Sequence, residues 1–382
     1  MTPGYELISK EEFKEIKTIF NKSKTLSRMG FKEKRKNIYK VEEFEKLFKK
    51  KFNSKYALAV TSGTAAIRVA LSTLKLKKED EVITQSFTFV ATVEAIIESG
   101  AKPVCCEIDN TLNMDPKDLL KKINKNTKAV ILVHMLGSPG YVNLIKKICK
   151  RKRIKLIEDT AWGCGGKFNG NYLGTLGEIG CFSFDFAKTI TTGEGGMLLF
   201  KKKSDYLFAA AWHDHGHQNN KNFPRWEDTR DTSGFNYRMN EMQGAVGKAQ
   251  LKKLQRLVKV QNINYNMIWK AVKNFKDIKL REIPKNSYIS ADALIFFMKN
   301  KNKALKLRHE LLKEKISTKI LPEAIKWHFA GEWEHIKFNG VRKNKFEKSR
   351  KILEKAVSIP ILFNMKKNFP DKVKKAITKV LK

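Results

Sequence analysis

The chain of 382 residues is 42% hydrophobic and 10% aromatic, which is enough apolar surface for a folded core and excludes disorder as the main state. Its 77 Lys and Arg residues against 39 Asp and Glu residues give a formal net charge of +38 at pH 7, which favours anionic partners. Five cysteines without CxxC spacing argue against a disulfide framework and a zinc site, and no stretch approaches the roughly 18 apolar residues of a membrane helix. We therefore expect a cytoplasmic protein with no membrane partner.

The positive charge alone does not choose between phosphates, acidic sugars, nucleic acid and an anionic membrane. Lysines are scattered over the whole chain, with short runs at 49–51 and 201–203, and no RNP-type or zinc-finger pattern accompanies them. A generally basic surface is therefore favoured over nucleic-acid binding, which stays an alternative.

The elements predicted along the chain indicate an α/β protein in three parts. Residues 1–40 are expected to form an N-terminal helix and an arm. Over 41–255, short β-rich runs alternate with helical segments, which predicts a large domain with a mainly parallel, mixed sheet flanked by helices. The predicted strands of this domain are 56–60, 81–84, 103–108, 129–134, 155–158, 181–186 and 197–200.

A long helical stretch is predicted at 238–274, where apolar residues recur at steps of three to five without a proline. Beyond it, a strand at 293–298 and helices at 305–315 and 367–382 predict a smaller C-terminal α+β domain, 256–382.

A turn of small residues follows the first predicted strand and leads into a helix. It contains Gly63, Thr64 and Ala65. Unpaired N–H groups and the positive end of the helix dipole would make this turn a phosphate cradle. A helix cap that binds no ligand explains the same residues.

An acid and a lysine stand at two further predicted strand ends. Asp159 ends a buried strand, where open α/β sheets place ligand groups, although a helix cap or a surface acid is the alternative. Lys188 follows the aromatic run FSFDFA, and desolvation there would free a neutral amine for Schiff-base chemistry. A solvent-exposed lysine is the alternative for this position.

Several segments, in this order, resemble the DegT/DnrJ/EryC/StrS-type sugar aminotransferases, which are pyridoxal-phosphate enzymes of the aspartate-aminotransferase fold (fold type I). The matching segments are SGTAAI (62–67), EDEVITQSFTFVAT (79–92), KAVILVHMLG (128–137), LIEDTA (156–161), LGTLGEIGCFSFDFAKTITTGEGG (173–196) and GFNYRMNEMQGAVGKAQL (234–251). The resemblance implies pyridoxal 5'-phosphate (PLP) as cofactor, with pyridoxamine 5'-phosphate (PMP) as its aminated form.

The resemblance also implies roles for single residues. Lys188 would form the Schiff base and move the proton, and Asp159 would pair with the pyridinium nitrogen. Phe89 would stack on the ring. The phosphate would be held by Gly63, Thr64, Ala65 and Ser183, and by Asn236 of the partner subunit, which implies a homodimer with shared active sites.

Trp162 departs from the family pattern, which usually has Gln or His at this position to meet the ring oxygen of the cofactor. Trp162 is therefore expected either beside the cofactor or facing the substrate. Some relatives carry His in place of the lysine and are sugar dehydratases, so Lys188 favours transamination.

Two clusters outside these motifs resemble a subgroup that includes 8-amino-3,8-dideoxyoctulosonate transaminase. The first is the segment 213–217 (HDHGH), where His215 is a candidate for substrate contact rather than a metal ligand, so no metal is expected. The second contains Trp327 and His328 together with 333–335 (WEH), and packing of Trp327 and Trp333 in the small domain is the alternative. Arg230 and Arg238 are candidates for carboxylate recognition.

The expected activity is transfer of an amino group from L-glutamate to a keto-sugar, either nucleotide-linked or acidic like 8-keto-3-deoxyoctulosonate, for surface polysaccharide or lipopolysaccharide biosynthesis. A PLP- or PMP-dependent sugar dehydratase, a non-catalytic cofactor-bound regulator and a basic nucleic-acid-binding protein are the alternatives.

Overall fold

Seven strands form the central sheet of the computed structural model, which describes residues 3–220, 222–338, 340–341 and 345–381. The strands are β1 (Tyr56–Val60), β2 (Glu81–Gln85), β3 (Lys102–Cys106), β4 (Thr127–Val133), β5 (Lys155–Asp159), β8 (Ile179–Ser183) and β9 (Gly196–Phe200). Their order in the sheet is β1-β9-β8-β5-β4-β2-β3, and β9 alone among these seven runs against the others. All seven predicted strands are present, with ends that differ by up to three residues.

Two small antiparallel sheets accompany the central one. One has the order β10-β12-β13, from β10 (Lys279–Leu280), β12 (Ala293–Phe297) and β13 (Ala356–Pro360). The other joins β6 (Lys167–Phe168) and β7 (Asn171–Tyr172) to β11 (Ser287–Tyr288). The sequence pattern predicts β12 but neither the two-residue strands nor β13.

Helices cover both faces of the central sheet, as the α/β prediction requires. The helices of the described residues are α1 (Pro3–Glu6), α2 (Lys10–Thr18), α3 (Lys40–Lys51), α4 (Gly63–Ser72), α5 (Ala91–Glu98), α6 (Pro116–Lys122), α7 (Val142–Lys152), α8 (Lys203–Trp212), α9 (Glu241–Val272), α10 (Lys301–Lys313), α11 (Ile325–His328), α12 (Glu347–Leu353) and α13 (Phe369–Leu381), and α10 and α13 pack on the C-terminal part of the chain instead of the central sheet. Among the described residues, no helix is both long enough and apolar enough to cross a membrane.

The long helix α9 contains the boundary expected near residue 255. An Asn240 cap with a reciprocal bond from Gln243 starts it, and it contacts α2, α3 and α13 along its length. Because the helix is continuous through residue 255, the division into domains at 40 and 255 stays a prediction.

A shared apolar core joins the carboxyl-terminal edge of the central sheet to the C-terminal third of the chain. Phe87 and Val133 from the sheet side pack in one cluster with Ile320, Phe329 and Trp333. This packing places the C-terminal segment against the edge where the strands of the central sheet end.

Candidate active site

A cavity of about 580 Å³ opens at the carboxyl-terminal edge of the central sheet, within the size range of ligand pockets. Its wall includes the last residues of β4, β5 and β8, which are Val133, Asp159 and Ser183. The turn at 62–64 and Lys188 also line it. Three segments that are far apart in sequence therefore meet in one place.

The N-terminus of α4 faces this cavity. Ser62 caps the helix, and its Oγ accepts a hydrogen bond from the Ala65 amide at 3.0 Å. The Gly63 and Thr64 amides come first in the helix and have no acceptor within it. The Ala65 amide, expected to meet a phosphate, is already bonded to this cap.

Close packing between α4 and β8 explains the glycine at the cradle. A Cβ at Gly63 would lie 2.7 Å from the Ser183 Cβ and 3.0 Å from its Oγ. Gly63 therefore lets the helix start directly beside Ser183, and the first helical amides and the serine hydroxyl reach one anion site.

The Asp159 carboxylate lies deep in the cavity, and the residue is 5% exposed. Its Oδ1 accepts from the Ala161 amide at 3.1 Å and its Oδ2 from Thr92 Oγ1 at 3.0 Å. Burial raises the pKa of Asp159, although both hydrogen bonds and nearby Lys188 oppose that rise. Each carboxylate oxygen keeps a free lone pair, so Asp159 can accept a hydrogen bond from the N–H of a pyridinium ring. The positive charge of such a ring would hold the carboxylate ionised.

Glu158 fixes the strand that carries Asp159. Its side chain is buried and accepts from the amides of Gly174, Leu176 and Gly177 at 2.6–2.9 Å and bonds His134 Nε2 at 2.8 Å. Burial raises the pKa of Glu158, but these hydrogen bonds outweigh it and hold the pKa below its ordinary value. Glu158 therefore has a structural role as a buried carboxylate, and of these two acids only Asp159 lines the cavity.

Lys188 follows the turn that ends β8. Its amide donates to the Asp185 carbonyl at 3.1 Å, and the Asp185 carboxylate accepts from the Ala187 amide at 2.8 Å. From the other side, the Gly4 amide donates to the Lys188 carbonyl at 3.2 Å. Burial lowers the pKa of the Lys188 amine to about 8, even though Asp185 and Asp159 lie near it. About a tenth of such amines is neutral at about pH 7, which is the form that attacks an aldehyde.

The rim of the cavity is aromatic. Phe89 is 39% exposed, and its ring lies 5.4 Å from the His328 ring, centroid to centroid. Trp327 is 67% exposed, so core packing does not account for it, whereas Trp333 is buried in the core. Burial lowers the pKa of His328 to about 4, and its Nδ1 bonds the Ala324 carbonyl at 3.0 Å.

Five predicted site residues lie outside the wall of this cavity: Ala65, His215, Arg230, Asn236 and Arg238. Arg238 and Arg225 both pair with the buried Asp214 carboxylate at 2.5 Å. Arg230 Nη2 bonds the ring of His217, whose other nitrogen bonds Asp228 at 3.1 Å.

His215 and Asn236 are both exposed. The histidines of the 213–217 segment have different environments, because His213 is buried with its Nδ1 bonded to the Ala210 carbonyl. In this chain, the loop holding these residues forms its own ion-pair network and does not line the cavity that contains Lys188.

The family model of the DegT/DnrJ/EryC1/StrS aminotransferase family matches residues 17–378. The chain belongs to this family. GDP-perosamine synthase of Escherichia coli O157:H7 is 35% identical over 246 residues, which are 62% of this chain and 66% of that relative. The match therefore spans just under two thirds of that relative's length.

Solved structures of the same fold cover nearly the whole chain. The aminotransferase from Psychrobacter cryohalolentis superposes with a TM-score of 0.87 at 22% identity, covering 98% of this chain and 97% of that one. E. coli GDP-4-keto-6-deoxy-D-mannose-3-dehydratase with bound hydrated PLP gives 0.81 at 23% identity, covering 97% of each chain. At these identities the likeness concerns the fold, and the predicted PLP fold type is confirmed.

The cofactor expectation, PLP with a PMP form, is confirmed for the family, and the residues of the cavity fit it. An added Cβ at Gly63 would collide with Ser183, so the glycine lets the first amides of α4 and the Ser183 hydroxyl lie side by side, which suits a phosphate. Asp159 would supply the carboxylate for the ring nitrogen, and Lys188 would supply the amine for the aldehyde.

Sequence reasoning missed several residues that shape the site. Thr92 bonds Asp159, and Thr88 bonds Thr92 at 2.9 Å. Both threonines lie in a matched segment, and their four-residue spacing at a helix start was an available signal. Asp185 and Glu194 also line the cavity, and no sequence signal distinguished them from surface acids.

Proposed function

We propose that the chain is a PLP-dependent aminotransferase that transfers the amino group of L-glutamate to a keto-sugar. The observation that carries this proposal is the shared cavity, in which the Lys188 amine, with a pKa lowered to about 8, and the Asp159 carboxylate face the same space as the α4 N-terminus. A nucleic-acid-binding protein needs none of these three features.

Each residue has a distinct task in this proposal. Gly63, Thr64 and Ser183 hold the phosphate, and Phe89 covers the ring face. The Lys188 amine would hold the cofactor through its aldehyde carbon until the amino donor takes its place, and would then carry a proton from the donor's α-carbon to that carbon. PLP, when bound, supplies the electron sink that makes this proton acidic, and Asp159 keeps the ring nitrogen protonated.

The lysine at 188 separates amino transfer from the dehydratase alternative. The relatives expected to dehydrate sugars carry His at this position, whereas Lys188 offers a primary amine that exchanges with the amino donor. A regulator that only bound the cofactor would keep Lys188 but would not release 2-oxoglutarate.

The proposed acceptor is a nucleotide-linked or an acidic keto-sugar used for surface polysaccharide or lipopolysaccharide. The net charge of +38 supports an anionic substrate of either type. The exposed Trp327 at the rim is a surface on which a sugar can pack. Arg230, Arg238 and His215 enter this proposal as contacts made across a homodimer, in which Asn236 meets the partner's phosphate.

The experiment is an acceptor screen with ¹⁵N-labelled L-glutamate. We expect ¹⁵N in one class of keto-sugar and an equal amount of 2-oxoglutarate, with Lys188→Arg as the inactive control of equal charge. Loss of water from the sugar without ¹⁵N transfer would instead support the dehydratase. Tight, steeply salt-dependent binding of duplex DNA without any glutamate reaction would replace the proposal with the nucleic-acid alternative.

A further inference from the structure

Two lysine ammonium groups lie against one indole ring in the active site. Lys188 Nζ is 3.4 Å from the ring centroid of Trp162, and Lys319 Nζ is 4.9 Å from the same centroid. Both distances lie within the range of a cation–π interaction. Trp162 lines the cavity, so the ring offers the Lys188 amine a resting position inside the site.

The indole is held from the C-terminal part of the chain. Trp162 is 8% exposed, and its carbonyl accepts from Ser290 Oγ at 2.9 Å. It shares an apolar cluster with Ile320 and Leu321, which directly follow Lys319. The ring is therefore held by residues far from the Lys188 loop in sequence.

Lys319 is itself fixed. Its Nζ lies 2.6 Å from Asp292 Oδ1, and the two side chains are 12% and 2% exposed. Its amide donates to the Ser358 carbonyl at 2.9 Å. The second Asp292 oxygen, Oδ2, is buried without a hydrogen-bond partner among the described residues. A buried ion pair with a spare acceptor is costly, so its position beside Trp162 calls for a role.

We infer that the Trp162 indole is the resting position of the Lys188 amine whenever that amine is not bonded to the cofactor. Asp292 and Lys319 are positioning residues that fix the place of the indole and the charge around the amine. The inference rests on the proposed function, in which Lys188 is released from the cofactor in each half-reaction. The indole attracts the protonated amine, while the Lys319 ammonium repels it. Burial, the largest influence on the pKa of Lys188, and the Lys319 ammonium both favour the neutral amine, whereas Asp292 opposes them.

The charged groups around Lys188 predict that substitutions of Lys319 and of Asp292 shift the pKa of Lys188 in opposite directions. Asp185 and Asp159 face the amine from the large sheet, His328 is neutral there, and Asp292 and Lys319 face it from the C-terminal part. Lys319→Met removes a repelling cation and leaves Asp292 unpaired, so the pKa of Lys188 rises. Asp292→Asn removes an attracting anion, so the pKa falls.

The test uses the full-length apoprotein and PLP as the probe. The apoprotein is incubated briefly with PLP at a series of pH values from roughly 6 to 10, a range that brackets the pKa of the Lys188 amine. Borohydride then reduces the bond between PLP and lysine, and mass spectrometry measures the label on the peptide that contains Lys188. We expect the capture midpoint to move up by about half a pH unit or more in Lys319→Met, down in Asp292→Asn, and back towards the parent in the double variant. Midpoints that move together, or not at all, would overturn the inference.

Substitution of the indole gives the second arm. Trp162→Phe keeps an aromatic face and should retain most of the capture rate at pH 7, whereas Trp162→Leu should lose it several-fold although the cavity remains apolar. Equal rates of PLP capture in the two variants would refute the resting position at Trp162. Absence of label on Lys188 in the parent protein would overturn the proposed function as well. Normal labelling with unmoved capture midpoints would overturn the resting position alone.

Discussion

Substituting Ala for Gly63 tests the phosphate cradle through a single methyl group. The new Cβ would lie 2.7 Å from the Ser183 Cβ, whereas ordinary contacts begin at 3.4 Å. The start of α4 must therefore retreat by about 0.7 Å to reach a normal carbon–carbon separation. Ala is otherwise favourable in a helix, so the cost comes from this contact alone. A shift of this size should weaken PLP binding by roughly 10- to 100-fold.

The matched control removes the opposing Cβ. PLP titrations of the parent, Gly63→Ala, Ser183→Gly and the double variant form a double-mutant cycle. We expect Gly63→Ala to weaken binding strongly where Ser183 is kept and hardly at all in the Ser183→Gly background. Equal losses in both backgrounds, or parent-like affinity of Gly63→Ala, would refute the steric argument.

Three further predictions concern the acid, the strand behind it and the dimer. Thr92→Val removes the hydroxyl that donates a hydrogen bond to Asp159, so the pKa of Asp159 should rise and kcat/KM should fall by about 10-fold. Thr88→Val is the control, because Thr88 bonds Thr92 and not Asp159. Equal losses of kcat/KM in the two variants would contradict this role of Thr92. Glu158→Ala leaves three amides and His134 without their partner and should cost about 3–5 kcal/mol of unfolding free energy in urea. Because the pKa of Glu158 is lowered from 4.5, its stabilisation is complete above that pH and is lost as the pH falls below it, so the parent and variant should converge in acid. When Lys188→Ala and Asn236→Ala subunits are mixed in equal amounts, half of the random dimers contain one subunit of each kind. If Asn236 serves the partner's site, each such dimer holds one intact site, so the mixture should regain about a quarter of the parental activity. No recovery of activity would place Asn236 in its own subunit's site.

The sequence allowed the central sheet to be predicted because its strands are short, buried and regularly spaced. Residues 56–60 were predicted without error. The third strand was predicted to continue to 108, but it ends at Cys106 because the Glu107 and Ile108 amides turn to the side chains of Asp118 and Ser349. Such competition by distant polar groups leaves no local signal.

That Asp159 and Lys188 line one cavity was predictable, because each lies in a segment with its own motif, whereas their roles stay predictions. The surroundings of Trp162 were not, because Asp292 and Lys319 come from a part of the chain without a matching motif and look like ordinary surface charges. Arg238 illustrates the converse, since its motif was visible while its pairing with Asp214 depends on the folded loop.

The most direct test of the central claim is the half-reaction of the purified, PLP-loaded protein with L-glutamate alone. The account predicts about one 2-oxoglutarate per subunit, a matching loss of the visible absorbance of the bound cofactor, and neither change in Lys188→Ala. Unchanged absorbance in the parent, or full 2-oxoglutarate release by the variant, would contradict the assignment of Lys188.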